Sequence, residues 1–408
     1  MGIDRDALIV GGGLNGPALA LALASAGISS VVLDAAPAET RADPEFDGRA
    51  YALSLASRRM LEALGVWPAV ADRAQAIERI AVSDGRAGDG PGPFALHFDR
   101  NEIDEAAMGA IVEDRWLRAA LTGALAATPL IEVRNDARVA AQRVEPGAAE
   151  VTLADGRRLR GRVILGCDGR TSGTARRAGI GRIGWDYGQT SLVCAIAHER
   201  PHGGVAHQFF MPEGPLAILP LPGNRCSIVW TERRGRAEAI QALDPDGYLA
   251  VLRPRFGDFL GEIGLAGRRY AYPLSLSLAE RFVAERVALA GDAAHGVHPV
   301  AGQGLNLGFR DVAALAEVLA EARRRGEDIG AAGTLADYQR WRRFDTAALA
   351  AATDGVVRLF SNDNPLLRLG RDLGLGLVDR LPPLRRAMIR EAAGITGDLP
   401  RLLRGRPV

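Results

Sequence analysis

Ala7-Leu8-Ile9-Val10-Gly11-Gly12-Gly13-Leu14-Asn15-Gly16-Pro17 leads into an Ala/Leu run to Ser25, then Gly27, then Ser30-Val31-Val32-Leu33-Asp34. Four apolar residues, a glycine turn, a helix-forming run, a glycine stop and a second apolar run ending in an acid predict a βαβ opening. Inside the turn, Gly11-x-Gly13-x-x-Gly16 meets three separate needs: a tight turn, close backbone approach to a pyrophosphate, and close contact of helix and strand. The helix start turns its free amides toward the phosphates. Asp34, at the end of the second strand, is placed to accept from a ribose hydroxyl. The segment predicts a dinucleotide site built on Gly11, Gly13, Leu14, Asn15, Gly16 and Asp34. Alone, it does not choose between a nicotinamide and a flavin.

Two distant segments make that choice. Gly166-Cys167-Asp168-Gly169 follows the buried-strand run Val163-Ile164-Leu165, with Ser172 close behind. Gly291-Asp292-Ala293-Ala294-His295 follows the apolar run Val287 to Ala290 and continues into His298-Pro299-x-x-Gly302-Gln303-Gly304-Leu305-Asn306. A plain nicotinamide dehydrogenase has no use for either. Asp292 at a strand end suits a ribityl hydroxyl, and the Gly302 to Asn306 loop, ahead of a helix expected from Asp311 to Leu319, suits the pyrimidine edge of a flavin. Reduced flavin is anionic there, and the positive end of a helix dipole favours that charge by about 0.3–1 kcal/mol, or up to about 2 when partly buried.

Together the three motifs resemble the para-hydroxybenzoate hydroxylase class of flavin monooxygenases. A finer resemblance is to the ubiquinone-biosynthesis FAD-dependent hydroxylase family. It rests on Phe46-Asp47-Gly48-Arg49-Ala50-Tyr51-Ala52-Leu53-Ser54, on Phe209 with Gly214-Pro215-Leu216-Ala217-Ile218-Leu219-Pro220-Leu221, on the run Gly291 to Gly308, and on Leu359-Phe360-Ser361 with Pro382-Pro383-Leu384 in the tail. It spans essentially the whole chain. The resemblance implies non-covalent FAD, with Arg49, Arg115 and Asp168 also near it. It further implies NAD(P)H as a transient co-substrate that needs no second glycine-motif domain, and O2 hydroxylating the ring of a lipophilic phenol. Candidates for catalysis in the flavin loop are His298 and Pro299. Two departures stand out: Ala175 where the family shows arginine, with Arg176 and Arg177 one and two places late, and Asp34 where a glutamate is frequent.

The expected fold class is α/β, a Rossmann-like FAD-binding domain with an inserted β-sheet substrate domain and a helical C-terminal region. Residues 1–70, 100–180 and 275–335 are assigned to the FAD unit, 71–99 and 181–274 to the substrate sheet, and 336–408 to the helical region. Alternative functions are hydroxylation of a soluble aromatic metabolite, or a flavin-binding scaffold subunit of a membrane-associated complex. Bare glycines placed against a flavin ring favour catalysis over scaffolding.

Composition narrows the classes. The 408 residues carry a net charge of +1, so the basic excess of a nucleic-acid binder is missing. No lysine occurs, all 50 basic residues are arginine, and Schiff-base chemistry is thereby excluded. Cys167, Cys194 and Cys226 have no CxxC spacing, and no histidine pair has metal-ligand spacing, so neither a disulfide framework nor a metal is expected. Residues 7–33 are uncharged and long enough to span a bilayer, but their glycines and Pro17 would break such a helix. A cytoplasmic protein is expected. One local excess remains: residues 366–408 hold nine arginines against four acids. With leucines between Leu366 and Leu381 and with Arg380, Arg385 and Arg386, this segment reads in two ways: leucines that dock the tail on the FAD domain beneath a solvated arginine face, or an interfacial helix pair on the inner face of an anionic membrane.

Overall fold

The computed structural model describes residues 2–41, 45–86, 90–103, 105, 107–298 and 302–360, and then 381–408. β1 (Ala7–Val10), α1 (Asn15–Ser25) and β2 (Ser30–Leu33) form the opening unit, every residue of both strands buried. β1 pairs in parallel with β2 on one side and with β12 (Val163–Gly166) on the other; β8 (Ile131–Arg134) continues in parallel beyond β2 and β20 (Val287–Leu289) beyond β12. The short β19 (Val283–Ala284) closes that sheet antiparallel to β20. Fully buried strands with no polar face are what a parallel sheet covered on both sides requires. α1 packs against α3 (Asp114–Ala126) and α7 (Gln303–Arg324), and a three-stranded sheet of β9 (Val139–Glu145), β10 (Ala148–Leu153) and β11 (Arg158–Gly161) lies against β1 and β12. Each motif therefore leaves the C-terminal end of one of three adjacent strands, β1, β12 and β20.

A second, nine-stranded sheet unites β5 (Arg79–Arg86) and β6 (Gly90–Asp99) with β13 (Arg182–His198), β14 (Val205–Phe210), β15 (Leu216–Leu221), β16 (Arg225–Arg233), β17 (Ile263–Leu265) and β18 (Tyr270–Ala279). Sequence segments more than 80 residues apart thus share one sheet, through the parallel pairing of β5 with β14. It extends past residue 274 and takes in β21 (His295–Gly296), which pairs with Ser277 and Leu278. Leu192, Cys194 and Ile196 face α5 (Arg234–Gln241) and α6 (Pro245–Phe256), two helices that the strand-like texture of this region had hidden. The opposite face meets β3 (Ala50–Ser54), β4 (Gln75–Ala76) and β7 (Gly109–Glu113) through an apolar cluster that includes Leu96, Phe98, Ile111, Ala195, Leu219 and Leu221.

The expected helical tail is α8 (Ala332–Phe360) and α9 (Pro382–Ala392); Leu366 to Arg380 lie outside the described residues. Behind α9 the chain returns to the first domain. Leu402 and Leu403 are fully buried against α2 (Leu55–Ala63) and α7. The Arg310 guanidinium of α7 donates to Thr396 O at 2.9 Å, and Trp341 Nε1 to Asp398 O at 3.1 Å.

Candidate flavin site

At the end of β1 the glycines separate into two kinds. A Cβ on Gly11 would lie 2.4 Å from Cys167 O, and one on Gly16 would lie 1.9 Å from Gly11 O, so these two let backbone touch backbone. Gly13 differs: a Cβ there would meet nothing within 4 Å. The protein itself does not need that position bare; an occupant would. Gly304 is the same, with nothing within 4 Å, although it stands in the first turn of α7.

Asn15 joins the first motif to the third. Its side chain is wedged between Gly291 and Gly308, where a Cβ would come within 2.1 and 2.6 Å of it. Its Oδ1 is buried and has no hydrogen-bond partner among the described residues. α1 starts on Leu14 and α7 on Gly302, and neither start has a side-chain cap. Two uncapped helix starts beside one another concentrate unpaired N–H groups and positive potential. Next to Gly13 opens a cavity of about 280 Å³, lined among others by Gly12, Leu14, Asp34, Arg118, Leu121 and Val133. Donors, the open glycines and a cavity ending on Asp34 suit the phosphates and one nucleoside of FAD.

The expected Gly302 to Asn306 loop is instead the beginning of α7, which starts at Gln303, eight residues before Asp311. The cause is Gly302 itself, whose φ of 66° makes the turn into the helix that other residues resist. Asn306 has all four hydrogen-bonding positions of its side chain engaged within the protein. Oδ1 accepts from Ser54 N and Ser57 Oγ, and Nδ2 donates to Ala52 O and Gly302 O. Its side chain fastens α7 to β3, leaving only its backbone to a cofactor. Asp168 likewise accepts from Ser172 Oγ, Thr174 N and Thr174 Oγ1 and holds the start of the short helix Gly173–Arg177. Asp292 remains at the surface of the site, 39% exposed and paired at 3.0 Å with Arg170. Arg49 pairs with Asp47 and Asp114, and Arg115 with Glu113. Both guanidiniums reach carboxylates of their own locality. Arg118, which the sequence reading passed over, is the arginine that lines the cavity.

Sequence reading also missed the ion-pair network that shapes the third motif. Asp311, fully buried, accepts from Gly291 N at 2.9 Å, pairs with His295 Nε2 at 2.5 Å and binds Arg342 Nε at 2.9 Å. Burial would raise the Asp311 pKa, but His295 and Arg342 outweigh it and hold the carboxyl below its ordinary value. His295 is therefore tied into structure. The signal for this was one buried-helix acid, Asp311; nothing marked Arg342. His298 is 1% exposed, both ring nitrogens lack partners among the described residues, and it meets Tyr187 edge-to-face at 5.2 Å. Burial, aided by Arg170, lowers its pKa to about 4, so it is neutral at physiological pH. Pro299 lies outside the described residues.

Two outcomes follow. Gly304→Val should fold, because its side chain meets open space, but should lose bound flavin; unchanged far-UV dichroism with loss of absorbance near 450 nm supports this, whereas full flavin content contradicts it. The second concerns acid. With His298 at about 4 in the fold against 6.5 in the unfolded chain, the unfolded state binds the extra proton between those values, so stability is complete above pH 6.5 and falls as pH drops toward 4. His207, also lowered to about 4 by burial, adds to the same limb. In His298→Gln the slope of unfolding free energy against pH over this window should drop by up to about 1.4 kcal/mol per pH unit; an unchanged slope would show that His298 takes up its proton in the folded state.

Comparison with known proteins agrees with this geometry. Residues 4–351 match the FAD binding domain family. The ubiquinone hydroxylase UbiL of Rhodospirillum rubrum is 45% identical over 99% of this chain and 93% of its own length. The 3-demethoxyubiquinol 3-hydroxylase of Escherichia coli is 36% identical over 95% of this chain and 98% of its own. Among solved structures, the p-nitrophenol 4-monooxygenase PnpA of Pseudomonas putida shares the fold, with a TM-score of 0.82 at 20% identity, over 97% of this chain and 99% of that one. This chain belongs to the FAD-binding family of flavin-dependent monooxygenases, in the branch that holds the ubiquinone-biosynthesis hydroxylases.

Proposed function

We propose that the protein hydroxylates the aromatic ring of a polyprenylated phenol in ubiquinone biosynthesis, using non-covalent FAD, NAD(P)H and O2. The observation that carries this reading is the convergence of two uncapped helix starts and two open glycines, Gly13 and Gly304, around Asn15. Bound FAD supplies the oxygen chemistry. Gly11, Gly13, Leu14 and Gly16 would give the pyrophosphate its amides, Asp34 and Arg118 would bound the adenosine, Asp292 would take a ribityl hydroxyl, and Gly302 to Leu305 would present backbone to the ring.

The protein's own share is orientation and dryness. Gly302 touches Ala52, a Cβ there lying 3.0 Å away, and Ala52 belongs to the same apolar cluster as Val82 and Leu219 on the large sheet. Val193, Ala217 and Val229 continue that face, half-buried and apolar. A lipophilic phenol suits such a wall, and exclusion of water there favours ring hydroxylation over wasted oxidation. His298, held neutral by burial, packs edge-to-face on Tyr187 of the same large sheet. Deleting the gene should accumulate a polyprenylated ring lacking one hydroxyl, restored by the wild-type chain and not by Gly304→Val. Normal quinone with loss of a soluble aromatic product would move the substrate to that second class.

No described helix is long and apolar enough to cross a membrane. We infer a peripheral contact, because α9 exposes Leu384 and Met388 in line with Leu381, each at least 40% exposed. Arg385 is paired with Glu102, so of the three arginines the sequence singled out the basic contribution falls to Arg386, joined by Arg390; Arg380 lies outside the described residues. The protein should co-sediment with anionic vesicles at low salt and release at high salt, and Leu384→Ser with Met388→Ser should weaken this without loss of FAD. Equal partitioning to neutral vesicles, or no effect of the pair, contradicts it.

A further inference from the structure

Beside the flavin cavity, three arginines and two aromatic rings alternate. The Arg73 guanidinium lies 4.8 Å from the Trp116 ring centre, Arg115 lies 4.5 Å from Trp116 and 5.4 Å from Phe46, and Arg225 lies 4.9 Å from Phe46. The flavin reading leaves Arg73, Trp116, Phe46 and Arg225 without a task. Arg115 and Arg225 share one carboxylate, Glu113, at 2.7 and 2.9 Å. Arg73 is exposed and, among the described residues, makes no ion pair. Arg73 thus brings a guanidinium with no ion-pair partner among the described residues to the outer end of the ladder. It starts on the first turn of α3, one turn before Arg118 on the cavity wall.

We propose that this ladder docks the reduced nicotinamide dinucleotide, the phosphates against the arginines and the adenine against the outer guanidinium–indole stack. A guanidinium plane offers both a fork of donors for phosphate and a flat face for a base, and the ladder presents both together. A lipid surface would be served by flanking exposed leucines, which surround α9 and not this patch. The inference rests on the reading that a nicotinamide nucleotide reduces the bound flavin.

The test is anaerobic reduction of the holoenzyme, followed as bleaching near 450 nm against NADH or NADPH concentration. In Arg73→Gln and Trp116→Leu the half-saturating concentration should rise about five- to tenfold with the limiting rate unchanged, and FAD content and thermal midpoint should stay at wild-type values. Trp116→Phe, which keeps a ring, should recover most of the loss, and added salt should raise the wild-type value toward that of Arg73→Gln. Arg73 is exposed, so its variant reports even if a Trp116 variant does not fold. An unchanged half-saturation in Arg73→Gln overturns the proposal, as does an effect confined to binding of anionic vesicles. Failure of both nucleotides to bleach the wild-type flavin would instead remove the functional reading itself.

Discussion

Backbone must touch backbone where β1 and β12 end, and the architecture of the site depends on that contact. Gly11 lies against Cys167 O, Gly16 against Gly11 O, and Gly291 and Gly308 against the two sides of Asn15. One methyl group on Gly11 or Gly16 would push backbone out of line where β1 meets β12 and α1, and one on Gly291 or Gly308 would displace the Asn15 side chain. Adjacent parallel strands bring their C-terminal ends to one edge, the usual place for a ligand in an open α/β sheet. The short reach of glycine then lets the loops above those ends close to a few ångströms.

Charge holds the result in position. Asp311 is a buried carboxylate whose partners come from three directions: a backbone amide of the third motif, a histidine at that motif's end, and an arginine from α8. Removing one partner of such a buried network leaves an uncompensated charge, commonly a loss of about 3–5 kcal/mol. Through Arg342, α8 therefore helps to place Gly291 and Asp292. The C-terminal residues bind the same helix, α7, through Arg310 and the buried Leu402 and Leu403. An apolar cluster reaching from Ala52 to Leu219 ties this assembly to the large sheet.

Much of this was legible in the residues. The opening strand–turn–helix–strand order follows from four-residue apolar runs broken by glycine, signals that are local and strong. The start of α7 was not legible, because Gly302 and Gly304 read as loop; only tertiary packing shows that one glycine makes the turn and the other leaves room for an occupant. α5 was hidden because its few apolar residues, such as Ala237 and Ile240, are spaced among arginines and polar groups, and α6 because Pro245, Gly247 and Pro254 punctuate its apolar run. Arginine roles were the least readable. Arg49, Arg115 and Arg118 lie within one spatial neighbourhood, and which of them meets a carboxylate and which a cavity is set by the register of β3 against β7 and by the start of α3. Arg342 and Asp311 are 31 residues apart and carry no motif.

The central claim is that these three glycine segments form one FAD cradle, and a crystal structure of the purified yellow protein tests it most directly. The account requires continuous flavin density with the pyrophosphate on the amides between Gly11 and Gly16, the adenosine in the cavity bounded by Asp34 and Arg118, and the ring edge over Gly302 to Gly304. Density that places the dinucleotide elsewhere, or a ring turned away from the start of α7, would contradict it.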